Sequence, residues 1–222
     1  MKTNNSYAVF GLGRYGLAVA KELVENGTDV LSIDHNEELI NDVIGELSVC
    51  RCADVTDPEV IKQLGISNID VVIIAISGSL ETSVMATALC KEAGVKNVIV
   101  KCSNEMHAKI LTKVGADRVV LPERESGVRL AKNLLSSGFV DIIELTNNIS
   151  LVEIDVKPEW VGKSLVDLNL RKKYSINVIA VQKNNDVTTD IDPTKPFEET
   201  MKLIGFILIY VTKKNCTSKS IL

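Results

Sequence analysis

The feature that most constrains this chain is an alternation, over roughly its first 120 residues, of short apolar runs with stretches of helical period. The apolar runs are Tyr7–Phe10, Val30–Ile33, Leu47–Cys52, Val71–Ile76, Val98–Lys101 and Val119–Leu121. Between them lie helical candidates at Tyr15–Asn26, Asn36–Gly45, Pro58–Leu64, Leu80–Ala93 and Glu105–Val114. Most of these end at a glycine: Gly27, Gly45, Gly65, Gly94 or Gly115. Glycine stops a helix cheaply because it takes the left-handed conformation without a Cβ clash. Continuous Val/Ile runs are the pattern of strands buried on both faces, hence parallel strands with helices on either side. Six of them predict an α/β, doubly wound parallel sheet.

The rhythm changes after Pro122. Glu123–Ser137 predicts one helix, with Val128, Leu130, Ala131, Leu134 and Leu135 at helical spacing and Gly138 placed to end it. From about residue 140 the pattern becomes that of a small α+β unit. Leu151–Val156 alternates apolar and polar residues, Asn177–Gln182 and Phe206–Thr212 are further strand candidates, and Gly162–Leu170 reads as a short helix. Asn184-Asn185-Asp186 is a turn signal between strands. The expected domains are therefore 1–140 and 141–222, with the last residues, KKNCTSKSIL, frayed.

The strongest motif is Gly11-Leu12-Gly13-Arg14-Tyr15-Gly16, between the first strand and the first helix. In a Rossmann turn the first glycine permits the tight bend. The second lets the backbone approach a phosphate, and the third lets helix and strand pack closely. The helix then offers unpaired N–H groups and a partial positive charge to an anion. Asp34, at the end of the second strand, is placed to accept hydrogen bonds from ribose hydroxyls and to repel a 2′-phosphate, against NADP; a solvated turn residue is the alternative. Arg14 suits the open-ended phosphates of ATP or ADP better than a capped pyrophosphate; a surface arginine is its alternative. Ligands of open α/β sheets bind beyond the carboxyl ends of the strands. That rule adds His35 and Asp54 near the ribose and adenine, Ser77 and Gly78 after the fourth strand, and Lys101 and Glu123 after the fifth and sixth. A carboxylate such as Glu123 sits near polyphosphate sensibly only with a cation between. Plain surface charge is the alternative for Lys101 and Glu123.

Composition excludes several classes. A formal net charge of −4, with 29 acidic and 25 basic residues, gives no footprint for nucleic acid. The longest apolar runs, Val71–Ile76 and Phe206–Val211, fall far short of the about 20 residues that span a bilayer. The first residues, MKTNNS, do not read as a signal peptide. Five cysteines, Cys50, Cys52, Cys90, Cys102 and Cys216, follow no framework spacing and suggest reduced thiols in the cytoplasm. Cys50 and Cys52 face one way on a strand and are expected to be small buried hydrophobes.

Together these residues resemble the RCK family (regulator of conductance of potassium), most closely the cytosolic subunits of Ktr/Trk-type bacterial potassium transporters. The likeness is carried by GLGRYG at 11–16, Asp34, Asp54-Val55-Thr56, the segment VKCSNEMHAKILTKVGADRVVLPERESGVRLA at 100–131 and WVGKSLVDLNLRKKYSINVIAV at 160–181. It covers nearly the whole chain. It implies an N-terminal nucleotide domain, a crossover helix at about 123–137 that makes a homodimer, and a C-terminal ligand-sensing domain. Such dimers assemble into a ring, often an octamer, beneath a membrane-embedded potassium channel or transporter. The chain would then be cytoplasmic and peripheral to the inner face of the membrane. The resemblance further implies Arg14 on the terminal phosphates of ATP, Asp34 on the ribose and Glu123 on a divalent cation (Mg2+ or Ca2+). In some relatives cyclic di-AMP binds the C-terminal domain; the matching positions are Arg171, Ile176, Asn177 and Pro193, with a core role the alternative for Ile176. Cys52 departs from the pattern, since a glycine is expected just before the Asp-x-Thr segment.

The rival reading is a small NAD-dependent oxidoreductase, which needs a proton-relaying group beside the nicotinamide. No Tyr-x-x-x-Lys is evident, and no G-x-x-x-x-G-K-[ST] supports hydrolysis of the P-loop kind. His107 reads as solvated or capping. The expectation is a nucleotide-binding gating subunit switched by ATP/ADP, not an enzyme, with an NAD(H)-binding regulator of the Trk type as the alternative.

Overall fold

The computed structural model describes residues 5–76, 78–135, 141–145, 149–184 and 186–208. The chain divides into two compact units, Met1–Pro122 and Glu123–Leu222.

In the first unit, β1 (Tyr7–Phe10), β2 (Val30–Asp34), β3 (Val49–Cys52), β4 (Val71–Ile74), β5 (Asn97–Lys101) and β6 (Arg118–Val120) form one sheet. Its order is β3-β2-β1-β4-β5-β6, and every pairing is parallel. This is the doubly wound Rossmann order, whose reversal point lies between β1 and β4. Helices α1 (Arg14–Glu25) and α2 (Glu37–Val43) lie on one face; α3 (Pro58–Gln63), α4 (Leu80–Glu92) and α5 (Glu105–Val114) cover the other. The pleat explains the division. Phe10, Ile33, Val72 and Ile74 pack with Ile61, Ala86, Leu89 and Leu111, while Val9, Val30, Val71 and Ile73 pack with Ala20, Ile40 and Val43. α1 ends as its sequence predicts, with Gly27 at φ +78° just beyond.

The apolar run Val71–Ile76 outlasts its strand. Residue pairing with β1 ends at Ile74; the Ala75 N–H still donates to the Phe10 carbonyl at 2.7 Å, and Ala75 and Ile76 then pass beside the glycine turn. The expectation for Cys50 and Cys52 is corrected. β3 is one of the sheet's two edge strands; Cys52 is exposed and Cys50 half-buried, whereas Cys90 and Cys102 are buried. Burial pushes the Cys90 thiol up to about 12. Cys216 lies outside the described residues.

The second unit begins at Glu123, the second residue of α6 (Pro122–Leu135), and holds a five-stranded antiparallel sheet of order β10-β9-β11-β8-β7. Its strands are β7 (Asp141–Glu144), β8 (Ile149–Asp155), β9 (Ile176–Lys183), β10 (Asp186–Thr188) and β11 (Met201–Leu208). The expected helix at Gly162–Leu170 is instead two short ones, α7 (Leu165–Leu168) and α8 (Leu170–Tyr174), joined at Asn169 in a left-handed conformation. Ser164 and Asp167 form a capping box that starts α7. Trp160, Leu168, Leu170, Ile176, Phe197 and Leu203 are buried in this unit's core. The end of the expected last strand, residues 209–212, the terminal segment and Gly138 all lie outside the described residues.

Candidate functional site

Every described candidate of the first unit falls at the carboxyl edge of the parallel sheet. Gly11–Gly16 follow β1, Asp34 and His35 close β2, Asp54 follows β3, Gly78 follows β4, and Lys101 ends β5. Ser77 lies outside the described residues.

The three glycines of the turn carry different burdens. Gly11 stands at φ +90°, and a Cβ there would also come within 3.0 Å of Ile76 Cγ1. A Cβ on Gly16 would lie 1.9 Å from the Gly11 carbonyl oxygen and 2.9 Å from Ala75 Cβ. Both are therefore fixed by the fold itself. Gly13 is not: nothing lies within 4 Å of where its Cβ would be. That open space beside the backbone is what close approach of a ligand requires.

Gly13 is also the N-cap of α1, and no side chain caps it. The first intrahelical bond runs from Leu17 N–H to the Gly13 carbonyl, so the N–H groups of Arg14, Tyr15 and Gly16 have no partner inside the helix. The other α-helices of this unit, α2 to α5, are finished differently. Asn36 caps α2, Asp57 caps α3, Ser79 caps α4 and Asn104 caps α5, each accepting a backbone N–H. No acidic residue stands in the first turn of α1, so nothing in that turn offsets the positive end of the helix. Arg14 is exposed at this end, and Lys101 Nζ sits 5.7 Å from the centre of the Tyr15 ring, a cation–π contact that ties the first turn of α1 to the end of β5.

At the end of β2, Asp34 is buried. Its Oδ2 accepts the Leu12 N–H at 2.6 Å, and its Oδ1 accepts the Asn36 N–H at 2.9 Å. His35, exposed, lies with Nδ1 3.3 Å from Asp34 Oδ1. Asp54 is exposed and braced by Thr56, whose hydroxyl and N–H donate to Oδ1 at 2.7 and 2.9 Å. These two bonds hold the Asp54 carboxyl below its ordinary value; the nearby His35 adds a smaller pull in the same direction. Cys52 Sγ lies 3.5 Å from the His35 carbonyl oxygen and takes the place where glycine was expected. Sequence reasoning missed the bracing by Thr56, although Asp-x-Thr is a recognisable local turn signal. It also missed the Leu12–Asp34 bond, which spans 22 residues and leaves no local trace.

The remaining candidates belong to the second unit. Glu123 lies in the first turn of α6. Arg171 is exposed on α8, and Asn177 is exposed on β9. Pro193 is exposed, and its carbonyl accepts the Val166 N–H at 3.2 Å. Ile176 is buried in the core of the unit. Among the described residues no helix is long and apolar enough to cross a membrane, and no group of three or more ligating side chains could hold a metal ion within this one chain.

Comparison with known proteins agrees with this architecture. The TrkA-N domain family matches residues 7–122, and the TrkA-C domain family matches residues 149–204. The chain is 40% identical to Ktr system potassium uptake protein C of Bacillus subtilis over 181 residues, covering 82% of each chain. It is 35% identical to Ktr system potassium uptake protein A of Vibrio alginolyticus, covering 95% of this chain and 94% of that one. Among solved structures, the GsuK channel bound to NAD superposes with a TM-score of 0.66 over 93% of this chain and 38% of its own, at 15% identity, a likeness of fold.

Proposed function

From the premise that this chain belongs to the RCK family of Ktr/Trk potassium-uptake proteins, we propose that it is a nucleotide-switched regulatory subunit of a membrane potassium transporter, not a catalyst. The single observation that carries the nucleotide half is the uncapped start of α1 at Gly13, with open space where a Cβ would be, in a unit whose other α-helices, α2 to α5, are capped. In this reading the amides of α1 hold phosphate, Arg14 meets the terminal phosphates, and Asp34 takes the ribose with His35 and Asp54 beside it. ATP or ADP is the ligand that Arg14 favours. NAD(H) is the second reading, supported by the bound ligand of the GsuK structure.

The assembly half of the proposal starts from α6. Val128, Leu130 and Leu134 are 45%, 60% and 78% exposed on this helix. Apolar side chains so exposed along one helix call for a partner, and the proposed partner is α6 of a second copy, with dimers built into a ring against the inner face of the membrane. Glu123, on the same helix, would meet a divalent cation, Mg2+ or Ca2+, beside the phosphates. Cyclic di-AMP at Arg171, Asn177 and Pro193 would be a second input, with Ile176 as its apolar floor.

Such a switch works only through differential affinity. ATP and ADP must prefer different arrangements of the dimer, and each tenfold preference shifts that equilibrium by about 1.4 kcal/mol per site. A thermal-shift panel of ATP, ADP, NAD, NADH and cyclic di-AMP tests the assignment. A ligand at about 100 times its Kd stabilises the fold by about 2.7 kcal/mol. The expected ranking places ATP and ADP first; NADH in first place would select the second reading, and no shift with any of them would refute both.

A further inference from the structure

The buried bond between Asp34 and Leu12 assigns the carboxylate a task that sugar recognition does not require. The bond is short at 2.6 Å, it is buried, and it joins the end of β2 to the middle of the glycine turn. A main-chain bond from Gly11 N–H to the Ile33 carbonyl at 2.8 Å also ties the turn to β2, and the Leu12 side chain packs in the same core cluster as Val30. The second carboxylate oxygen is held by Asn36 N–H, and the Asp34 carbonyl accepts Ala53 N–H at 2.9 Å, so the strut is itself fixed at both ends. The Leu12 side chain is 2% exposed, so the residue is anchored from two directions. Leu12 N–H is thereby spent on Asp34, and the donors left for phosphate begin at Gly13.

A buried carboxylate close to a phosphate site is electrostatically unfavourable for an anionic ligand. It is tolerable there if holding the turn outweighs the repulsion. We propose that Asp34 is a positioning residue for the phosphate cradle: its carboxylate keeps the Gly11–Arg14 turn in its phosphate-accepting shape before any ligand arrives. This rests on the nucleotide reading above and adds to it, because one side chain then couples the sugar half of the ligand to the phosphate half.

The two possible roles predict opposite signs for a ligand with phosphates and no sugar. If Asp34 only grips ribose, removing its charge leaves inorganic tripolyphosphate binding unchanged or strengthens it. If Asp34 holds the cradle, removing the charge weakens it. The experiment measures calorimetric binding of ATP and of tripolyphosphate to the full chain and to D34N and D34A. The expected result is that wild type binds both. D34N, which keeps one acceptor oxygen, loses about tenfold for tripolyphosphate, the scale of one charge-assisted hydrogen bond, and D34A loses more. Tripolyphosphate binding that is equal or tighter in D34N overturns the positioning role and leaves the nucleotide reading standing. So does a wild type that binds ATP and not tripolyphosphate. A wild type that binds neither overturns both. A measurement independent of variant folding is amide hydrogen exchange of the ligand-free wild type. Leu12 is expected to exchange more slowly than Arg14 and Tyr15; equal rates at the three amides overturn the proposal.

Discussion

The two edges of the parallel sheet are built on opposite principles. At the amino edge, polar groups answer one another. Asp70, just before β4, accepts from Ser6 N–H and Oγ at 3.1 and 3.0 Å and pairs with Lys96 at 2.9 Å. Asp117, just before β6, accepts Val98 N–H at 2.7 Å and pairs with Lys91 at 2.9 Å. Lys96 and the two Ser6 bonds hold the Asp70 carboxyl down at about 2. For Asp117, burial alone would raise the carboxyl, but the bonds from Val98 and Lys91 together overcome it and lower it. At the carboxyl edge, by contrast, α1 begins with no cap, Gly13 borders open space, and Arg14 is exposed. The carboxyl edge also spends hydrogen bonds on the fold, at Asp34, Asp54 and the caps of α2 to α5, but the start of α1 is left without a side-chain cap, and the proposed function gives that start to a ligand. Strain and unmet donors collect at functional sites because only a ligand repays them.

Substitutions at the two edges should separate these roles. The largest effect belongs to Gly16→Ala, where the new methyl meets the Gly11 carbonyl. It should cost about 3 kcal/mol or more in a denaturant titration, with nucleotide binding lost alongside. Gly13→Ala is its control. The backbone there has φ −63°, which alanine accepts, and the space is empty. Stability should stay within about 0.5 kcal/mol of wild type while nucleotide affinity falls by about tenfold or more, about 1.4 kcal/mol. Equal losses in both properties would mean that Gly13, too, serves the fold.

The amino edge should show itself through pH. Asp70 is more acidic in the folded chain than its ordinary 3.8, so its contribution is fully present above that value. It is lost as pH falls from 3.8 toward 2. Asp70→Asn should be less stable than wild type at neutral pH and should lose less on acidification across that window, with nucleotide affinity at neutral pH unchanged. Parallel stability curves for the two proteins would remove Asp70 from the account. The smallest effect is expected at Ser32, whose hydroxyl is buried and has no hydrogen-bond partner among the described residues. Ser32→Ala should be neutral or stabilising by up to about 1 kcal/mol in the same titration, because it removes an unmet polar group.

The sequence exposed the first unit more fully than the second. Six Val/Ile runs separated by glycine-stopped helices leave few topologies open, and the motif at Gly11–Gly16 marks where the sheet order reverses. The second unit alternates polar and apolar residues weakly, and β10 lies in the short, wholly exposed segment Asp186–Thr188, whose side chains carry no burial signal. Cys52 was misplaced because an apolar pattern does not reveal which strand lies at an edge. The site residues were legible as residue types at expected positions. What stayed hidden was the use of Asp34 by Leu12, since a bond between distant residues depends on strand order and not on local pattern. The free N–H groups at the start of α1 were legible in the glycine motif, and the four capped helices beside it show how unusual that start is in this unit.

The account turns on whether the amides at the start of α1 accept phosphate. The most direct test is isothermal titration of the purified chain with ATP, ADP and NADH. The prediction is saturable heat with one site per chain for ATP or ADP, sharply reduced in Gly13→Ala. An absence of heat with all three would contradict it.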